Sequence, residues 1–172
     1  NLPSGMLVVQ DVRRLGFLRG ITIPLGEEAA NYLPGDSLII DIEGTVLDRV
    51  DGTLQIKNVT SDRITKAGSG AQVLMTLVNA AKIAANPEDY ESTLVALVKG
   101  GFDYTPAPGQ VMSGDHEIND GFGVITVKTD PQSALANLPQ LKMANYYGII
   151  FNEMQGDSIV AYQRMRYRSD LV

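Results

Sequence analysis

Apolar positions along this chain recur mostly with a period of two, in short runs punctuated by Gly, Pro, Asn and Asp, which predicts strands much more than helices. The clearest stretch is 32–61. Leu33-Pro34-Gly35-Asp36 stops whatever precedes it, residues 37–47 are β-branched and partly alternating, and Asp51-Gly52 returns the chain into Thr53-Leu54-Gln55-Ile56. A long β-hairpin is expected there, with Gly44 predicting a bulge or sharp bend inside its first strand. Residues 6–11 and 20–25 predict two earlier strands, Pro24 placing the second at a sheet edge, and residues 27–31 allow one or two helical turns before Pro34.

Polar residues and Gly gather over 61–70 and mark a boundary. Residues 73–78 suit a buried strand and 79–85 a helix, while Asn86-Pro87-Glu88-Asp89 opens a short helical turn. The pattern then repeats with one more strand in front. Residues 92–99 form a strand ended by Gly100-Gly101, 110–113 and 124–129 form two more, and 132–137 form a short helical piece closed by Leu138-Pro139. A final pair, 146–154 and 158–168, turns at Gly156-Asp157.

The two parts match at a spacing of about 105 residues, the mark of a duplicated unit. Ile21-Thr22-Ile23 falls on Ile125-Thr126-Val127, Asn31 to Pro34 near Ala136 to Pro139, and Ser61-Asp62 near Ser169-Asp170. The element order of the second part is that of the OB-fold, a five-stranded Greek-key barrel. The expected fold is therefore mostly β: two tandem OB-like barrels, each with a short helix, over 1–68 and 90–172 with a connector at 69–89. The first barrel lacks its first strand. That strand is expected upstream of Asn1, with residues 73–78 as the alternative.

The chain resembles a family of exported Bacteroidetes proteins, commonly lipoproteins, built around tandem OB-like domains and described as a domain of unknown function. The resemblance lies in Leu7-Val8-Val9-Gln10-Asp11, in residues 31–40, in residues 51–56, and in Tyr90 to Val95, Tyr147 to Ile150 and Arg166 to Asp170. It implies export through a lipidated Cys near the precursor's N-terminus and a place at the cell envelope. It also implies a non-enzymatic binding or assembly role, with a glycan or an envelope protein as ligand.

Composition adds little beyond exclusions. The 172 residues, 44% hydrophobic and 20% charged, can build an ordinary globular core, and no apolar run is long enough to span a bilayer. The absence of Cys removes disulfides and thiolate chemistry, and a net charge of −6 opposes general affinity for nucleic acid. Neither a cofactor nor a metal site is expected. Asp115-His116-Glu117 with Asp120 is the one cluster suggestive of catalysis, but its spacing fits no Ca²⁺ or Zn²⁺ site, and a solvated turn is expected.

The most informative candidate surface is the last strand. Tyr162, Arg164, Arg166 and Arg168 alternate with Gln163, Met165 and Tyr167, and so should share one face. Tyr146 and Phe151, on the preceding strand, are expected to add rings to it. Such a face suits single-stranded nucleic acid, the alternative function, through cations for phosphate and rings for stacking. An Arg row guarding a sheet edge against aggregation explains the same pattern. Arg13, Arg14 and Arg19 form a second basic cluster, expected as a solvated turn.

Overall fold

A computed structural model describes residues 1–12 and 16–172. The chain is mostly β. Its first part contains β1 (Met6–Val12), β2 (Leu18–Pro24), a 3-10 turn at Gly26–Asn31, β3 (Ser37–Ile40), β4 (Val46–Val50), β5 (Thr53–Lys57) and β6 (Ile64–Gly68). The second contains β7 (Thr76–Leu77), α1 (Ala80–Ala85), α2 (Pro87–Tyr90), β8 (Leu94–Gly101), β9 (Gly114–Asn119), β10 (Val124–Thr129), β11 (Met143–Gln155) and β12 (Ser158–Arg164).

In the second part the strands close on themselves. The order runs β11-β12-β10-β9-β8, with β8 also pairing to β11, so five strands form a barrel. All its pairings are antiparallel except β10 with β12, which pair in parallel at Thr126–Tyr162 and Val127–Gln163. This is the strand order of an OB-like barrel. Gly100 and Gly101 do not stop β8; they lie inside it, at the corner where it leaves β11 for β9. A Cβ on Gly100 would sit 2.6 Å from the Ile118 side chain, and one on Gly101 2.3 Å from the Lys142 carbonyl oxygen. Only glycine permits that approach.

The barrel interior is filled from alternate positions of each strand: Val95 and Leu97, Ile118, Ile125 and Val127, Tyr146 and Ile150, Ala161. α1 plugs it with Ala80 and Ile83. The helix starts where Asn79 accepts a bond from the Lys82 N–H and stops before Pro87, as its cap and proline dictate. The helical piece expected over 132–137 is instead a run of turns. The Asp130 carboxylate takes the Gln132 N–H and the Ser133 hydroxyl takes the Leu135 N–H, diverting the bonds that helix propagation needs.

The first part repeats this topology with one member missing. β1 and β2 are antiparallel, β2 and β5 parallel at Thr22–Gln55, and β4 and β5 antiparallel, which reproduces β9, β10, β12 and β11. The hairpin expected at Asp51-Gly52 is present, both residues adopting positive φ (46° and 87°) as a two-residue turn of type I′ requires. The long strand is bent at residues 41–45, with Gly44 at φ 71°, and so divides into β3 and β4.

β6 does not replace the missing strand. Its register against β3, Ile40–Ile64 and Ile39–Thr65, continues that of β4 against β5, so β6 lies on the same edge of the hairpin as β5. Its counterpart is Leu171-Val172, which returns to Tyr146 and Asn145 after the 3-10 turn Arg168–Asp170. Residues 73–78 do not fill the place either. Residues 71–75 are irregular, with the Ala71 N–H on the Gly35 carbonyl and the Gln10 amide on the Leu74 carbonyl; Val73 packs against the cluster of Leu94, Ile149 and Phe151, and β7 runs parallel to β8. Among the described residues, no strand occupies the position between β1 and β3 that β8 holds between β9 and β11.

The two parts share a tightly built contact. The Glu91 carboxylate, almost fully buried, accepts bonds from the Leu54 N–H (2.7 Å) and the Arg49 guanidinium (3.0 Å), and Arg49 also pairs with Glu88 (2.8 Å). Thr22 and Ser92 hydroxyls meet at 2.9 Å, and Thr53 donates to the Asn152 carbonyl at 2.6 Å. Gly20 lies so close to Ser92 that a Cβ would fall 1.9 Å from its carbonyl oxygen.

Candidate ligand-binding cleft

A cleft lies between β1 and β3. Alternation turns Leu7 and Val9 of β1 and Leu38 and Ile40 of β3 toward a common interior, where they belong to one apolar cluster with Ile23, Val59 and Ile64. Only four members of that cluster are buried and the rest are half-exposed; among the described residues, no strand covers them from the side between β1 and β3. The resulting cleft holds about 1130 Å³.

Its boundaries come from both parts. Exposed Leu33 and Leu47 border it, Ala71 to Leu74 cross one end, and Leu2, Ser92 and Ile149 continue it into the contact with the closed barrel. Arg166 and Tyr167 complete the rim. The charged groups here are already engaged. Asp36 pairs with Lys66 (2.7 Å) and accepts from the Leu33 N–H, and the bond from Lys66, with these, brings its carboxyl down to about 2. Arg19 pairs with Asp89, and Arg166 with Asp170 (2.9 Å).

The residues expected to form an Arg and Tyr face are only partly brought together. Tyr146 is fully buried inside the closed barrel, where loss of solvent, with the charge of Tyr104 beside it, pushes its hydroxyl up to about 12. Phe151 is buried between the two parts, with its ring 5.9 Å from that of Tyr162. Neither ring faces solvent. The reason is that β11 belongs to the closed barrel along its whole length, so one of its faces is core and the other is the contact with the first part.

Alternation along β12 is as expected: Ala161, Gln163 and Met165 are buried, while Tyr162, Arg164 and Arg166 are half-buried on the other face. Tyr162 lies between the Lys128 ammonium (4.5 Å) and the Arg164 guanidinium (5.6 Å). Arg164 donates to the Asn1 carbonyl, and Lys128 pairs with Glu153 (2.5 Å). The strand ends at Arg164. Arg166 folds back onto Asp170 and over the Tyr167 ring, and Arg168 is exposed at the start of the 3-10 turn. β12 is a central strand, flanked by β11 and β10, so the edge-guard explanation of the Arg row does not apply. Arg13 and Arg14 lie outside the described residues.

His116 lies in β9 and not in a loop, and is half-buried with its ring edge toward Phe102 at 5.8 Å. Its Nε2 is 3.0 Å from the Ser113 carbonyl oxygen. Strand β9 spans Gly114–Asn119; of the expected strand at 110–113 only a bridge from Val111 to Pro139 forms. Among the described residues, no three His, Asp or Glu side chains gather closely enough to hold a metal ion.

Sequence reasoning did not find the cleft itself. Its signal was apolar residues left exposed beside it in the first part, Leu33 and Leu47, on a hairpin with few strands to cover it. No protein-family model matches the chain, no curated protein is detectably similar to it, and no solved structure matches its fold.

Proposed function

We propose that this chain is a non-enzymatic binding or assembly protein of the cell envelope, a tandem OB-like unit whose ligand enters the cleft of its first part. The observation that supports this reading is the apolar interior open between β1 and β3, continuous with the contact between the two parts. An exposed apolar concavity of this extent marks an interaction surface. It favours an envelope protein over a glycan, since sugar recognition calls for converging polar groups and the ones here are paired internally. The envelope location rests on the family resemblance.

Saturable binding of the apolar fluorophore bis-ANS to the folded chain tests the cleft. The account expects one site, lost in the Leu33→Glu/Leu47→Glu variant, whose substitutions fall at exposed positions and leave the fold intact. Binding that is absent, or unchanged in the variant, contradicts it. The nucleic-acid reading retains one observation, the Arg166–Tyr167 pair on the rim.

A further inference from the structure

We infer that residues 69–75 form a strap that closes one end of the cleft, latched by Gln10, and that a ligand enters as the latch releases. This deepens the proposed binding role and rests on it.

The strap joins the two parts, running from the end of β6 at Gly68 to the start of β7 at Thr76. Among the described residues it pairs with neither β1 nor β3 as a strand. Isolated polar bonds fasten it instead. The Ser69 hydroxyl donates to the Asp36 carboxylate (2.8 Å), the Ala71 N–H to the Gly35 carbonyl (2.9 Å), and the Gln10 side-chain amide to the Leu74 carbonyl (2.6 Å). Val73 is half-buried against Leu94, Ile149 and Phe151, whereas Leu74 and Met75 are 44% and 55% exposed. By contrast β1 is tied to β2 along its whole length. A segment with so little buried apolar surface and no continuous ladder is among the first parts of a fold to open.

Its two ends suit a lifting motion. Gly70 adopts φ 78°, and nothing lies within 4 Å of where a Cβ on it or on Gly68 would stand, so the backbone at 68–70 has room to turn. The other end is fixed, because Thr76 and Leu77 pair with Val95 and Ala96 of β8.

Gln10 makes the release local. Its side-chain oxygen accepts the Leu94 N–H (2.8 Å) while its nitrogen holds the Leu74 carbonyl. Breaking the bond to Leu74 leaves the one to Leu94 in place, so the strap lifts without separating the two parts. Lifting Val73 uncovers Leu2, Val8 and Ile149, which line the cleft where it continues into the contact with the closed barrel.

The test uses bis-ANS to occupy the cleft and thermolysin, which cuts before Val73, Leu74 and Met75, to report the open strap. A ligand that enters on release favours the open form. Saturating bis-ANS should therefore speed cleavage of the native chain at these sites at least threefold, and by linkage a looser strap should bind the dye more tightly. Gln10→Met, which keeps the bulk of the side chain and removes the latch, should raise dye affinity at least threefold and speed cleavage. Ser69→Ala, at the other fastening, should act in the same direction to a smaller degree, and gives the same readout if Gln10→Met does not fold. Slowed or unchanged cleavage with dye, or unchanged dye affinity in the folded variants, overturns the inference. The two claims separate: saturable dye binding with unchanged cleavage leaves the cleft as a ligand site and removes the strap, whereas absence of dye binding removes both.

Discussion

The two parts of the molecule share one set of pairings and differ by one strand. In the closed part, β8 lets seventeen residues pack into one buried cluster around Tyr146 and Ile150; in the open part, among the described residues, the corresponding cluster buries four, Leu7, Ile23, Val59 and Ile64. A single strand therefore changes more than its own burial. Once both neighbours of β8 are paired, every inward side chain on β9 and β11 has a roof, and the corresponding side chains on β1 and β3 do not. The open part is held instead by its contact with the closed one, through Glu91, Arg49 and the Gly20–Ser92 approach.

If this comparison is right, equivalent deletions should differ in cost. Leu97→Ala, inside the closed barrel, should destabilise the chain by about 2–5 kcal/mol, whereas Leu38→Ala, half-exposed over the cleft, should cost under about 1.5 kcal/mol. Urea unfolding at neutral pH measures both. Equal costs would mean that the cleft is covered in solution.

The contact between the parts gives a smaller effect. Glu91→Ala leaves the Leu54 N–H without its acceptor and Arg49 with Glu88 and the Gly52 carbonyl as its remaining partners. Because Arg49 is partly open to solvent, the loss should be about 2 kcal/mol, below the 3–5 kcal/mol typical of fully buried pairs. The sharper readout is order: the open part should lose protection against proteolysis before the closed one. Simultaneous loss would show that the parts do not depend on the contact unequally.

Acid provides a third handle, on the open part alone. The Asp36 carboxyl is drawn down from 3.8 to about 2, chiefly by its bond from Lys66. Its stabilisation is complete above the unfolded-state value and is lost as pH falls from about 3.8 through about 2. Urea midpoints between pH 5 and 2 should therefore fall less steeply for Asp36→Asn than for the native chain, with the difference confined to that interval. An identical profile would remove Asp36 from the account.

The smallest expected effect concerns the Arg row. Replacing Arg164, Arg166 and Arg168 together by Ala should leave oligonucleotide affinity unchanged, because the native chain is expected to show no binding at low salt. Arg164 and Arg166 are occupied internally and the net charge is −6. Salt-sensitive binding that the triple variant loses would restore the nucleic-acid reading.

Much of this architecture was legible in the sequence, because it depends on local rules. The mostly β character, the Asp51-Gly52 turn and the bend at Gly44 follow from turn chemistry and alternation. What was not legible depends on which face an element presents to another. Residues 114–119 read as a loop because Asp115 and Glu117 occupy the solvated face of a true strand. Tyr146 and Phe151 read as surface rings because a barrel core and the contact between the two parts both take aromatic residues. The Arg row had the periodicity of an edge strand, but nothing in residues 158–168 specifies that β12 lies between two others. The cleft was hardest to see, since an unfilled place has no residues of its own.

The central claim is that the position between β1 and β3 is open while its counterpart between β9 and β11 is filled. Native-state amide hydrogen exchange on the chain alone tests it most directly. The account predicts strong protection in Met143 to Ile149 of β11, which β8 pairs, with fast exchange for those amides of β3 that face the cleft. Protection of β3 equal to that of Met143 to Ile149 would contradict it.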